Sequence, residues 1–222
     1  MKKEIRIDEL RALMLDALTL RGIGSEDAAF IVDDFLDAEL EGHKTHGVSK
    51  FLTIDIGLSG REGSIEIVSR IGGHAKIDGH RELGHIAARQ AAALSVELAK
   101  EQGVGLVALT NVSRYARLVP YSRLIAERGC IGIVTNNGGP AHVVPFGGSM
   151  PVFGTNPLSF GFPQGEKPPL IFDFATAQGV WGELRQAIVE ERPLPERTFL
   201  DAAGAFTTDP QRVQGVLPFG GA

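Results

Sequence analysis

The sequence predicts an α/β fold with a helical N-terminal segment, and three observations carry that expectation. Apolar residues recur at helical spacing through the first part of the chain. From Gly63 onward, short apolar or alternating runs take turns with helical stretches. Glycine-rich turns punctuate the alternation, with 28 glycines among 222 residues.

The elements follow in chain order. Between Asp8 and Leu20 the apolar positions Leu10, Leu13, Met14, Ala17 and Leu18 form one helical stripe, and Gly22 and Gly24 stop it. Ser25 is suited to cap the next helix, where Ala28 to Leu40 carry a stripe through Ile31, Val32, Phe35 and Leu36. After GHKTHGVSKF, a third amphipathic stretch is expected over Val48 to Leu58. Alternation at Ile65, Ile67 and Ser69 predicts a strand, and Lys76 to Gly79 close a hairpin-like unit. Gly84 to Gln102 is an alanine-rich helix, Gly105 to Asn111 a buried strand, Val119 to Arg128 a helix, and Ile131 to Asn136 a second buried strand. A helix is expected over Val180 to Glu191, and the chain is turn-rich from Arg192 onward. The change of character divides the sequence into a helical segment, residues 1–62, and an α/β body, residues 63–222.

Composition narrows the function classes. The apolar fraction of 43% and charged fraction of 22% are those of a soluble globular protein. A net charge of -5 without a strong basic patch argues against nucleic acid as the main partner. The single cysteine, Cys130, rules out an internal disulfide and points to a reducing, cytoplasmic setting. It sits in the apolar run CIGIVT, where a small core residue is expected. The N-terminus has no uninterrupted apolar stretch of the kind a secretion signal needs, and no apolar run approaches a membrane span.

The stretch from Pro145 to Thr176 carries the most chemical information. It reads PFGG, then GTNPLSF (Gly154 to Phe160), then IFDFAT (Ile171 to Thr176). Glycine lets backbone approach a ligand closely, while Thr155 and Asn156 offer donors and acceptors. Such a loop suits an extended polar cofactor such as a dinucleotide. It is not the Rossmann fingerprint, because no GxGxxG follows a strand and opens a helix.

THGVSKF (Thr45 to Phe51), GVGLVALTNVSRYARLVPY (Gly103 to Tyr121), GIVTNNGGPAHVVPFGG, GTNPLSF and DFATA occur in this order. Together they resemble the malate/L-lactate dehydrogenase family, which is unrelated to the Rossmann dehydrogenases, and the resemblance covers essentially the whole chain. It implies a non-Rossmann α/β fold that binds NAD or NADP in residues 63–222, a homodimer, and hydride transfer on 2-oxo or 2-hydroxy acids or cyclic imines.

Residue by residue, the resemblance places the family's catalytic histidine at His46, with Thr45 in the position of a serine. Lys50 stands where an arginine binds the substrate carboxylate. GTNPLSF, that is Gly154, Thr155, Asn156, Pro157, Leu158, Ser159 and Phe160, matches the cofactor loop, and Thr176 closes the box that contains Asp173. The chain departs from the family at Arg114 and Ala116, in place of a second histidine and a glycine, at Ala177 in place of a serine, and at Glu183 in place of a lysine. The family pattern also runs on past the final glycines, in chains about half as long again.

Reducing a ketone needs an oriented nicotinamide, a cation for the carboxylate, and a proton for the developing alkoxide. His46 is the best proton donor, since imidazole titrates near the working pH. A histidine that caps a helix start beside Thr45 is the plainer alternative. Lys50 shares a helical face with His46 and offers a point charge without arginine's fork, or is an ordinary solvated lysine. Arg114 stays protonated and so holds an anion, a second carboxylate or a cofactor phosphate, unless it is a surface residue without a role. Asp173 within a hydrophobic strand either orients a catalytic histidine or bonds backbone amides. His43, His74, His80, His85 and His142 show no metal-ligand spacing, and no metal is expected. No GxSxG elbow occurs. The expected activity is an NAD(P)-dependent oxidoreductase acting on a small molecule. The departures leave a second reading open, a shortened homologue that has lost catalysis and serves as a binding or structural subunit.

Overall fold

The computed structural model describes residues 4–137 and 139–220. Gly138 of the GIVTNNGGPAHVVPFGG motif therefore lies outside the described residues. Contacts divide the chain into two units, Met1–Cys130 and Ile131–Ala222.

The first unit begins with helices α1 (Ile7–Thr19) and α2 (Ser25–Leu40). Their stripes bury Met14, Leu18, Ile31, Val32 and Phe35 in one cluster with Phe51, Leu83 and Ile86. Gly24, not Ser25, occupies the N-cap of α2, with extended backbone and no side-chain cap. The stretch expected as a third helix is broken. A 3-10 turn (Lys44–His46) leads to two single-turn helices, α3 (Val48–Phe51) and α4 (Asp55–Leu58). Within that stretch Phe51, Ile54 and Gly57 are buried, three positions apart, while the apolar Leu52 and Ile56 face solvent, so its apolar residues do not form one covered helical face.

Strand β1 (Glu66–Ile71) pairs antiparallel with β2 (His74–Asp78), and β2 pairs parallel with β3 (Leu106–Thr110). The chain reverses between β1 and β2, so Lys76 to Asp78 lie within a strand instead of closing the hairpin. Helix α5 (Gly84–Gln102) makes the crossover from β2 to β3, as a parallel pair requires. It packs Ala91, Leu94 and Leu98 against Ala75 and Ile77 of β2. Its first turn presses on residues 113–115: a Cβ at Gly84 would stand 2.7 Å from the Ser113 carbonyl oxygen. Helix α6 (Val119–Glu127) completes the unit.

The second unit holds a three-stranded antiparallel sheet, β4 (Gly132–Thr135), β5 (Leu158–Gln164) and β6 (Lys167–Phe174). Helix α7 (Trp181–Val189) packs Leu184 and Ala187 with Phe199 of β7 (Phe199–Asp201) and Val216 of β8 (Val213–Val216). The turn-rich tail thus contains a strand pair that its sequence did not announce.

Helices, strands and their alternation follow the expected α/β plan, with the helical segment first. Burial differs. Strands β3 and β4 were expected to be buried, yet Leu106 and Ile133 are 62% and 66% exposed. Apolar composition marks a strand that must be covered; it does not say by what. Cys130 is half-buried instead of lying in a core.

Candidate functional site

The residues singled out from sequence divide between the units. His46, Lys50 and Arg114 belong to the first; Gly154 to Phe160, Asp173 and Thr176 belong to the second.

His46 ends the 3-10 turn, half-buried, and its Nδ1 lies 2.9 Å from the Thr45 hydroxyl. Burial, followed by the nearby Lys50 charge, lowers its pKa below the ordinary imidazole value; Asp34 opposes this and His43 and Arg117 add to it. Gly47 follows because nothing larger fits. The Val48 backbone N–H donates to Glu39 Oε2 at 3.0 Å, and a Cβ at Gly47 would meet that carboxylate and stand 3.1 Å from the Glu39 Cα. Gly47→Ala is therefore expected to cost about 1–3 kcal/mol, the usual range for overpacking. Urea denaturation of the variant measures it, and an unchanged midpoint would mean that the turn shifts freely.

Lys50, on α3, lines a small cavity together with Phe35, Thr53, Ile54, Gly57, Leu83, His85, Arg114, Tyr115 and Ala116. Two cations from separate elements thus meet one concave site. Arg114 is exposed, on the segment between β3 and α6. Burial raises the Tyr115 hydroxyl to about 12, so it stays protonated and can donate. Behind the cavity lies an ionic network that sequence reading missed. Arg117 Nε donates to Asp34 Oδ1 at 2.7 Å, and Arg117 also bonds Glu41. Asp34 was legible only as an acidic interruption within an apolar helical stripe.

In the second unit, Gly154 to Pro157 form a short loop without regular secondary structure, while Leu158, Ser159 and Phe160 already belong to β5. Ser159 is fully buried and pairs with Asp173 of β6 in the sheet register. Asp173 is half-buried, inside a strand as expected. The Thr176 hydroxyl donates to the carbonyl oxygens of Thr155 and Asn156, each at 3.0 Å, and ties the loop to the end of β6. Asn156 has φ +38°, a left-handed conformation that asparagine tolerates better than most residues. Its Oδ1 is buried without a hydrogen-bond partner. Residues 5–222 match the family described as malate/L-lactate dehydrogenase.

The chain belongs to the malate/L-lactate dehydrogenase family.

Particular relatives agree. The chain is 35% identical over 217 residues to the L-sulfolactate dehydrogenase of Methanocaldococcus jannaschii, covering 95% of this chain and 62% of that protein. It is 31% identical to a Delta(1)-pyrroline-2-carboxylate reductase of Burkholderia multivorans, covering 98% of this chain and 65% of the relative. Among solved structures, malate dehydrogenase from Entamoeba histolytica superposes with a TM-score of 0.89 at 27% identity, covering 100% of this chain and 64% of that one. The chain therefore spans less than two thirds of the length of these relatives. Helices and sheets arranged as in these dehydrogenases bear out the non-Rossmann fold expected from the sequence.

Proposed function

We propose that this chain takes part in an NAD(P)-dependent oxidoreduction that interconverts a small 2-oxo acid, or a cyclic imine, and its 2-hydroxy or amino form. The observation that carries the reading is the convergence of Lys50, Arg114 and Tyr115 on one small cavity. His46 does not share a helical face with Lys50, because the break at Gly47 separates them, and it is not among the residues lining the cavity, but it feels the Lys50 charge. Two cations and a neutral donor suit an anionic substrate, and the sulfolactate and malate dehydrogenases among the relatives are named for such acids.

The second unit fits a nicotinamide cofactor in its chemistry. The buried, unpartnered Asn156 Oδ1 is an acceptor that a carboxamide N–H can satisfy. Gly154, Thr155 and Pro157 give the loop its shape, Leu158, Ser159 and Phe160 anchor it in β5, and Thr176 fastens it. Bound there, the nicotinamide supplies or accepts a hydride.

The rest of the chemistry falls to this chain's side chains. Lys50 and Arg114 hold the substrate's anionic groups. The Thr45 hydroxyl engages His46 Nδ1, which leaves Nε2 for the substrate. His46 gives a proton to the oxygen or nitrogen in reduction and takes it back in oxidation. Asp173 fixes the β5–β6 end of the cofactor loop. A homodimer in the cytoplasm belongs to the same proposal, since exposed Ile71, Leu106, Ile133 and Phe172 leave apolar strand faces for another surface to cover.

Calorimetric titration with NADH and with NADPH tests the reading and identifies the cofactor. Binding of either supports it. Silence with both removes it in favour of a subunit without catalysis. In the same experiment Arg114→Ala should weaken malate binding by about 1.5 kcal/mol, the lower end for hydrogen bonds to charged groups because Arg114 is exposed. Unchanged malate affinity would take Arg114 out of the site.

A further inference from the structure

His46 and Lys50 stand on either side of a break in the chain, and a side chain from another helix spans it. The 3-10 turn that ends at His46 and the single helical turn α3 that carries Lys50 are joined by Gly47. Its φ of -87° and ψ of -149° lie outside the helical range, so neither element's own geometry sets the angle between them. The far end of α3 is anchored by Phe51, whose ring meets Phe35 of α2 edge-on at 5.6 Å between centroids. Gly47, the N-cap of α3, has no side chain with which to hold the near end.

Glu39 of α2 holds it instead. Its Oε2 accepts the Val48 backbone N–H at 3.0 Å in a half-buried setting, and a Cβ at Gly47 would stand 3.1 Å from the Glu39 Cα. A carboxylate that accepts a backbone N–H makes one of the stronger kinds of hydrogen bond. One other side chain reaches across the break: the Ser49 hydroxyl donates to the Lys44 carbonyl oxygen at 3.1 Å. Both of those residues are exposed, so water competes for that bond. After burial, the charges that act on the His46 pKa are those of Lys50, Asp34, His43 and Arg117, and Glu39 is not among them. Glu39 therefore reaches the ring through the backbone and not through its field.

We propose that Glu39 is a positioning residue, whose hydrogen bond to the Val48 N–H fixes the angle at Gly47 and with it the placement of His46 relative to Lys50. The inference rests on the reading that His46 moves the proton and Lys50 holds an anionic group of the substrate.

Three variants of the 222-residue chain separate the hydrogen bond from the charge. Glu39→Gln keeps an acceptor oxygen at the same reach and loses the charge. Glu39→Met keeps the length and loses both. Glu39→Asp keeps the charge and withdraws the oxygen by one methylene. The readout is the titration of the His46 ring, followed by NMR on the free chain. Burial and the Lys50 charge hold that pKa below 6.5. Glu39→Gln should titrate as the unaltered chain does. In Glu39→Met and Glu39→Asp the midpoint should rise towards 6.5, because a loosened turn admits water to the ring and lets it draw away from Lys50. Loss of a nearby negative charge would by itself move a histidine the other way, so the direction identifies the cause. Exchange of the Val48 amide proton should be about tenfold faster in the same two variants and unchanged in Glu39→Gln. A His46 midpoint unmoved in Glu39→Met and Glu39→Asp overturns the inference, and so does a Glu39→Gln that departs from the unaltered chain as Glu39→Met does. Should Glu39→Met not fold, Glu39→Asp decides by the same midpoint.

Turnover of malate is judged separately. In Glu39→Met and Glu39→Asp kcat should fall by up to about 10²-fold, the scale of a small misplacement of a reacting group, with cofactor affinity unchanged and kcat kept in Glu39→Gln. An undiminished kcat in Glu39→Asp, with its His46 midpoint moved, also overturns the inference. If neither NADH nor NADPH binds, the catalytic reading fails by itself, and the His46 midpoint alone decides whether Glu39 places the ring.

Discussion

His46→Ala is expected to lower turnover by about 10²–10⁴-fold, the usual contribution of a positioned acid or base, with little change in cofactor affinity. The pH dependence gives the role a sign. Burial and Lys50 depress the His46 pKa below its ordinary value of 6.5. Reduction needs the protonated ring, so its kcat/KM should fall as pH rises through a value below 6.5. Oxidation needs the neutral ring, so its rate should rise through the same value and then level off. Removing the Lys50 charge with Lys50→Met should move the His46 titration upward, which histidine NMR reads on the free protein. Wild-type turnover in His46→Ala, or a titration unmoved by Lys50→Met, would leave His46 as a structural residue.

The fold was legible where local rules decide structure. Helix α5 begins and ends at Gly84 and Gln102, as its sequence pattern predicts. The alanine-rich composition favours helix, and the small residues let it lie close to the strand it crosses. The stretch after His46 was misread because its apolar residues fit a helical period without forming one covered helical face. The exposure of β3 and β4 was illegible for another reason. A strand's composition records what it buries in its complete setting, and sequence periodicity does not name the covering surface.

The candidate site was legible only in part. THGVSKF and GTNPLSF announce themselves as contiguous motifs. The groups that surround the cavity do not, because their contacts are long-range: Arg117 and Asp34 are separated by 83 positions. His85 carried no signal of its own beyond being a histidine. Only the fold shows that α5 brings its first turn to the Asp34 side of α2.

Arg117→Met is expected to destabilise the first unit by about 3–5 kcal/mol, the range for leaving one partner of a buried ion pair uncompensated. The side chains of Asp34 and Arg117 are 1% and 7% exposed, so loss of the guanidinium leaves the carboxylate without water to replace it. Arg117 holds Asp34 twice, through Nε to Oδ1 at 2.7 Å and through Nη2 to the backbone oxygen at 3.3 Å. Replacing both residues, with Asp34→Leu added to Arg117→Met, should recover most of the loss, because no buried charge then remains. Urea denaturation followed by far-ultraviolet circular dichroism measures both variants; the single tryptophan, Trp181, lies in the second unit and serves as its separate reporter. The recovery distinguishes charge burial from lost packing. If the double variant is no more stable than Arg117→Met, the aliphatic stem of Arg117 holds the segment before α6 against α2 by contact, and the ion pair contributes little. If the double variant recovers, Asp34 is retained at a cost in stability, which is the behaviour expected of a carboxylate kept to face His85 and to raise the pKa of His46.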